Sequence, residues 1–266
     1  MKNFEEYYNV DTLNLMPSPY DSRDYAFGDL GIVGATPIPK EYRTSTPIVF
    51  DQGQTSMCAA CTIALIRTTK EYKQSGLTEP LSPAFAYADR NDGEDYEGML
   101  IRDVAQKIKD DGICLEKDFD MFDTYDNIKS AFIAKKNELM LKAEPFKVTS
   151  YYTCRSREEV QTAIMECDAV QIGIPVFRNF YYPNDKGIIQ YQKGQRSLGG
   201  HSVTLIGWAE IDDHFYWILQ NSWGKDWGID GCCYLPEEYP WQDDAYAYVD
   251  NYDEMKFEEY RKKFKD

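Results

Sequence analysis

Four polar residues stand in an order that suits acyl transfer: Gln52, Cys58, His201 and Asn221. Cys58 lies where the loop Asp51-Gln-Gly-Gln-Thr-Ser-Met runs into a segment with helical spacing. A thiol at a helix N-terminus meets free amide N–H groups and the positive end of the helix dipole, so its thiolate is expected to be favoured. The thiolate is the useful nucleophile. His201, in LGGHSVTLIGW, follows Gly199 and Gly200 at the start of an expected strand. Its imidazolium would pair with the thiolate and later protonate a leaving amine. Asn221, in LQNSWGKDWG, can accept a hydrogen bond from one ring nitrogen, and Trp223 can shield that bond from water. The backbone amide of Cys58 and the side-chain amide of Gln52 can form an oxyanion hole, each donor worth about 3–4 kcal/mol.

These residues need elements to hold them. CAACTIALIRTTKEYKQSG carries Ala59, Thr62, Ile63 and Ile66 at helical spacing, and Gly76 suits its C-terminal cap. SPAFAYADRND reads as a second helix, capped by Ser82 with Pro83 at its first position. MLIRDVAQKIKDDG reads as a third, stopped by Gly112. Together they predict a helical lobe. In the second half SREEVQTAIMEC predicts a short helix. AVQIGIPV, KGIIQYQ, HSVTLIGWAE and HFYWILQNS predict strands, being rich in β-branched and aromatic residues between turn formers. Helices first and strands second point to an α+β fold with an antiparallel sheet or barrel and a cleft between lobes. If the last two strands pair, His201 and Asn221 come side by side. Residues 1–36 read as an extended arm, residues 37–250 as the main unit, and residues 251–266 as a charged, solvated surface helix.

Composition narrows the function. The chain has 266 residues, 43% of them hydrophobic, enough for one compact unit. Forty-five acidic against 29 basic residues give a net charge of −16, which disfavours nucleic acid and anionic membranes as partners. The first residues, MKNFEEYYNV, show no apolar leader core, and no stretch reaches the length of a membrane span. Seven cysteines in no disulfide-like or zinc-like spacing suit reduced thiols in a cytoplasm, and no metal or cofactor is expected. Only two histidines exist, which narrows the acid–base candidates. His214, in a polar turn, reads as a surface residue. Cys61 reads as a core thiol one turn beyond the nucleophile, and Trp227 as core. Cys232 and Cys233 would face opposite sides of a strand.

In this order the motifs resemble the papain family of cysteine peptidases. Gln52-Gly53 through Cys58 is similar to the family's Gln-Gly-x-x-x-x-Cys loop, and Gly200-His201 to its Gly-His strand. Asn221-Ser222-Trp223-Gly224, Trp227-Gly228 and Gly231 follow its Asn-Ser-Trp-Gly-x-x-Trp-Gly-x-x-Gly signature. The resemblance covers residues 37–240. It implies a two-lobed fold with a helical left lobe, a central helix starting at the nucleophile and a barrel-like right lobe. It also implies Cys58 as nucleophile, His201 as acid–base, Asn221 as its orienter and Gln52 as oxyanion donor, acting on protein or peptide substrates. Gly98 in Tyr96-Glu97-Gly98-Met99, with Gly200 and Trp223, is carried over as substrate-binding. The chain departs from the family at Thr55, Met57 and Ala59: a disulfide cysteine is missing, access to the thiol is expected to narrow, and a tryptophan after the nucleophile is replaced. These departures resemble divergent bacterial and viral members. The arm is too short for the family's long propeptide, though long enough to be a short prosegment over the cleft. Alternatives are an amidase or transpeptidase on the same fold, or a catalytically quiet binding protein. A glutamine amidotransferase would need an acid two residues after the histidine, where Val203 stands.

Overall fold

The computed structural model describes residues 3–22, 24–90, 97–120, 123–241 and 245–263, with side chains to residue 258 in the last stretch. Asn91 and Asp92 of the second expected helix, Tyr96 of the glycine-bearing segment and residues 264–266 of the tail lie outside the described residues.

The arm is largely irregular, with a one-turn helix α1 (Phe4–Tyr7). The central helix α2 (Cys58–Ser75) ends at Gly76, whose φ of 74° is the left-handed conformation glycine adopts freely. Every residue of α2 from Cys58 to Lys70 is buried. A helix covered on all sides needs no single apolar stripe, and α2 packs against helices on one side and the sheet on the other. Helix α3 (Pro83–Ala88) has the expected cap, the Ser82 side chain accepting from the Phe85 amide. Helix α4 (Ile101–Asp110) stops before Gly112, at φ 82°. Helix α5 (Tyr125–Ala143) was not foreseen; it buries Ile128, Phe132, Leu139 and Ala143 while exposing Ile133 and Leu141, which blurs its stripe. Helix α6 (Arg157–Cys167) begins at the Ser156 cap.

The strands are β1 (Tyr42–Arg43), β2 (Ser150–Thr153), β3 (Val170–Val176), β4 (Gly199–Ile211), β5 (His214–Gln220), β6 (Cys232–Pro236) and β7 (Ala245–Val249). They form one antiparallel sheet in the order β2-β7-β3-β4-β5-β6, with β1 on β4. The segment KGIIQYQ does not join it as a strand. The Asn184 side chain accepts from the amides of Lys186 and Ile188 and holds a turn there, leaving a single bridge from Ile188 to Tyr234.

The apolar side chains gather into two cores, one in the helical lobe and one in the sheet lobe. Cys232 faces the first and Cys233 the second, as alternation along a strand requires. The tail corrects its expectation as a solvated helix. α7 (Asn251–Lys263) docks on α2 through the buried pair Lys70–Asp253 and the 3.2 Å contact of Arg67 with Asp250, and it buries Phe257. Charged side chains hid this docking, because the partners that make their burial tolerable lie 183 positions away.

Candidate active site

α2 starts at Cys58, and β4 starts two residues before His201. β4 and β5 pair with Thr204 opposite Gln220, so Asn221 at the end of β5 reaches His201. His201 Nε2 lies 2.7 Å from Asn221 Oδ1. A carbonyl oxygen can only accept, so Nε2 carries the proton and Nδ1 is the basic nitrogen. Nδ1 is buried and makes no hydrogen bond. Asn221 is held in turn by the Ser222 amide, which donates to the same Oδ1 at 2.8 Å. Trp223 is wholly buried, with its ring 5.0 Å from the imidazole. The expected shield is therefore in place.

Gln52 is buried beside the nucleophile loop. Its Oε1 accepts from Ser222 Oγ at 2.7 Å, and its Nε2 donates to the Thr55 carbonyl at 2.8 Å. One N–H of that amide is thus occupied by the loop and a second is left for an oxyanion. Met57 and Cys58 are both fully buried in the helical-lobe core. Cys61 is a core thiol and His214 is exposed, both as expected.

The ionisation of Cys58 is opposed by burial. The thiol is fully buried, and burial pushes its pKa up from 9.0 to about 11, against smaller downward pulls from the backbone amides of Ser202, Ala59 and Cys58 itself. Burial likewise pushes His201 down from 6.5 to about 4, with the Asn221 bond opposing it. Burial thus opposes the charged form of both groups in this arrangement.

The arm runs across the residues that flank Cys58 and His201. Gly200 donates to the Leu13 carbonyl and accepts from the Leu15 amide, both at 3.2 Å, so the arm pairs with the backbone next to His201. Asn14 Nδ2 donates to Ser56 Oγ at 2.9 Å, two residues before the nucleophile. A Cβ on Gly98 would lie 1.9 Å from the Asn14 carbonyl oxygen, so Gly98 is the opposite wall of the same passage. Leu13 is buried in the sheet-lobe core and Leu15 in the helical-lobe core, so the arm bridges the lobes. Tyr8 stacks on Trp223 with rings 4.7 Å apart, donates to Asp51 Oδ1 at 2.5 Å, and receives the Tyr181 hydroxyl on its carbonyl at 2.6 Å. Gly98, Gly200 and Trp223, the three positions expected to bind substrate, all touch the arm. Tyr8, Leu13, Asn14 and Leu15 were not singled out in the sequence. Their apolar spacing carries no period, and only the cleft gives them partners.

This closed form has a pH window. His201 binds protons less readily closed than exposed, so closure weakens as pH falls below 6.5 and loses up to about 3 kcal/mol by pH 4. Cys58 holds its proton more tightly closed than exposed, so closure weakens again as pH rises above 9.0. The expected result is an unfolding temperature that drops from pH 7 to pH 4.5 more steeply in the parent than in His201→Gln. Parallel slopes would show that His201 does not couple to closure.

The family description "Papain family cysteine protease" matches residues 42–249. Cathepsin B-like cysteine proteinase 3 of Caenorhabditis elegans is 36% identical over 89 residues, 34% of this chain and 23% of that protein. An uncharacterized peptidase C1-like protein of Acanthamoeba polyphaga mimivirus is 28% identical over 205 residues, 71% of this chain and 64% of that protein. The chain thus spans about a quarter of the cathepsin B-like relatives it matches and under two thirds of the viral one. In fold it is similar to xylellain, a cysteine protease from Xylella fastidiosa, with a TM-score of 0.76 at 21% identity over 90% of this chain and 96% of that one. It is also similar to the bromelain protease from Ananas comosus in complex with the E64 inhibitor, with a TM-score of 0.60 at 17% identity over 80% of this chain and all of that one.

Proposed function

We propose, for a chain that belongs to the papain family of cysteine proteases, that it hydrolyses peptide bonds in protein or peptide substrates by a Cys58–His201 pair. The observation that carries this is the imidazole held by Asn221 through Nε2, with basic Nδ1 left unpaired beside the start of α2. Displacing the arm admits water and substrate and relieves the burial that opposes charge on both groups. The proton then passes from Cys58 to His201 Nδ1. The thiolate attacks the scissile carbonyl, and the Cys58 amide and Gln52 Nε2 face the oxyanion. The imidazolium protonates the leaving amine, and the same ring activates water to hydrolyse the thioester.

The arm, in this reading, is a shield that must leave for turnover. Its pairing with Gly200 uses the backbone groups an extended peptide would need, and Tyr8 covers Trp223. A reducing, cytoplasmic setting is part of the proposal. Supporting it, all seven cysteines are free and buried, and among the described residues no helix is long and apolar enough to cross a membrane.

An epoxysuccinyl or vinyl-sulfone peptide tests the chemistry. It is expected to label Cys58 ahead of the other six thiols, with the site read by peptide mass spectrometry in samples at successively lower pH, where closure weakens. Labelling no faster at Cys58 than elsewhere, at any pH at which the fold persists, would remove the mechanism. Hydrolysis of non-peptide amides or transfer to added amines, with peptides left intact, would move the reading to an amidase or transpeptidase.

A further inference from the structure

The strand run AVQIGIPV contains one polar side chain, Gln171, and it lies fully buried on β3. Burying an amide is unfavourable unless each of its groups is satisfied. Here they are. Gln171 Nε2 donates to Ser202 Oγ at 2.9 Å and to the Ala59 carbonyl at 3.2 Å. Gln171 Oε1 accepts from the Tyr248 hydroxyl on β7. Ser202 Oγ donates in turn to Thr62 Oγ1 at 3.3 Å, and Thr62 Oγ1 donates to the Cys58 carbonyl at 2.9 Å. Donors and acceptors match at every step, with no atom asked to donate twice from one proton. Thr62 is 3% exposed and the other members less, so water cannot substitute for a missing partner.

The position of this chain matters more than its strength. It joins three strands of the sheet lobe to the first turn of α2, across the seam between the lobes. At one end it holds the carbonyls of Cys58 and Ala59. In its middle it holds Ser202, the residue after His201, whose backbone amide lies close enough to the Cys58 sulfur to pull the thiol pKa down. A shift of Ser202 would move the sulfur's amide donor and the imidazole together. An apolar side chain at 171 could fill the same volume at lower cost. What it could not do is select one register of α2 against β4.

We propose that Gln171 is a positioning residue for the Cys58–His201 pair, oriented by Tyr248 and acting through Ser202 and Thr62. It sets the distance and angle between sulfur and imidazole, and touches neither. The inference rests on the peptidase reading above.

The test uses the full chain carrying Tyr8→Ala, to loosen the arm, as parent. Gln171→Met keeps length and removes both donors. It is expected to lower kcat on a fluorogenic peptide by roughly 10²-fold, since misplacement of about 1 Å costs that much, while KM stays within about twofold. Alkylation of Cys58 by iodoacetamide is expected to lose its low-pH phase and titrate like an ordinary thiol, near 8.5. Ser202→Ala and Tyr248→Phe should move both readouts the same way by roughly tenfold, about 1.4 kcal/mol. Gln171→Met with Ser202→Ala should be no worse than Gln171→Met alone, as expected for one coupled unit. An unchanged kcat and alkylation profile, with only a lower unfolding temperature, would overturn the proposal. If Gln171→Met does not fold, Tyr248→Phe and Ser202→Ala decide in its place by the same two readouts. A parent whose Cys58 shows no low-pH alkylation would instead overturn the peptidase reading, and this inference with it.

Discussion

The full chain carrying Tyr8→Ala is expected to cleave an unstructured peptide roughly 10²–10³-fold faster than the parent at neutral pH, since deleting a buried aromatic side chain costs about 3–5 kcal/mol. That cost is expected to fall first on the arm, which carries Tyr8. Tyr8 is fully buried, stacked on Trp223 and bonded to Asp51, so its loss removes contacts that hold the arm over the cleft. Leu15→Ala should add to the effect by loosening the arm's hold on the helical lobe. Point variants suit the question better than truncation at residue 36. Phe27, Leu30 and Ile32 belong to the sheet-lobe core, so removing them would damage the fold as well as open the cleft. The rate is read with a fluorogenic peptide, and arm release by the ring nitrogen shifts of His201, with exposed His214 as the reference. Release of the arm without a gain in rate would show that it does not inhibit.

In that loosened chain, Cys58→Ala is expected to lower turnover by roughly 10⁴–10⁶-fold, the range for removing a covalent nucleophile. His201→Ala should cost about as much. The double variant should be no slower than either single one, because half of an ion pair does little alone. Cys61→Ala is the necessary contrast. Cys61 sits one turn on in the same buried helix face, and its replacement should leave turnover near the parent's. If Cys61→Ala abolished activity and Cys58→Ala did not, the spacing from Gln52 would have been assigned to the wrong thiol. Asn221→Ala should fall between, since Trp223 still covers the ring but Nε2 loses the acceptor that fixes its tautomer.

Local chemistry made much of this molecule legible before any coordinates. Helices α2, α3, α4 and α6 carry their own start or stop signals: Gly76, Ser82 with Pro83, Gly112 and Ser156. Strands β4 and β5 announce themselves by β-branched and aromatic runs, and their pairing follows from the short turn between them. Hence the meeting of His201 with Asn221 could be read from the chain. α5 could not, because its buried positions are interleaved with exposed apolar ones. Nor could the docking of α7, whose charged residues become core only against Lys70 and Arg67.

The sequence alone singled out the candidate site residues Gln52, Cys58, His201 and Asn221, each by a motif within a few residues of itself. Tertiary structure decided the state of that site. A helix N-terminus favours a thiolate, and that expectation is sound for a solvated cleft. Burial in the folded chain pushes the thiol pKa up and the imidazole pKa down, against the pull of the helix end. The arm's occupants, Tyr8 and Leu13 to Leu15, and the buried support at Gln171 and Tyr248 act on residues far along the chain. Their roles depend on burial and on partners brought close only by folding, and no local pattern encodes either.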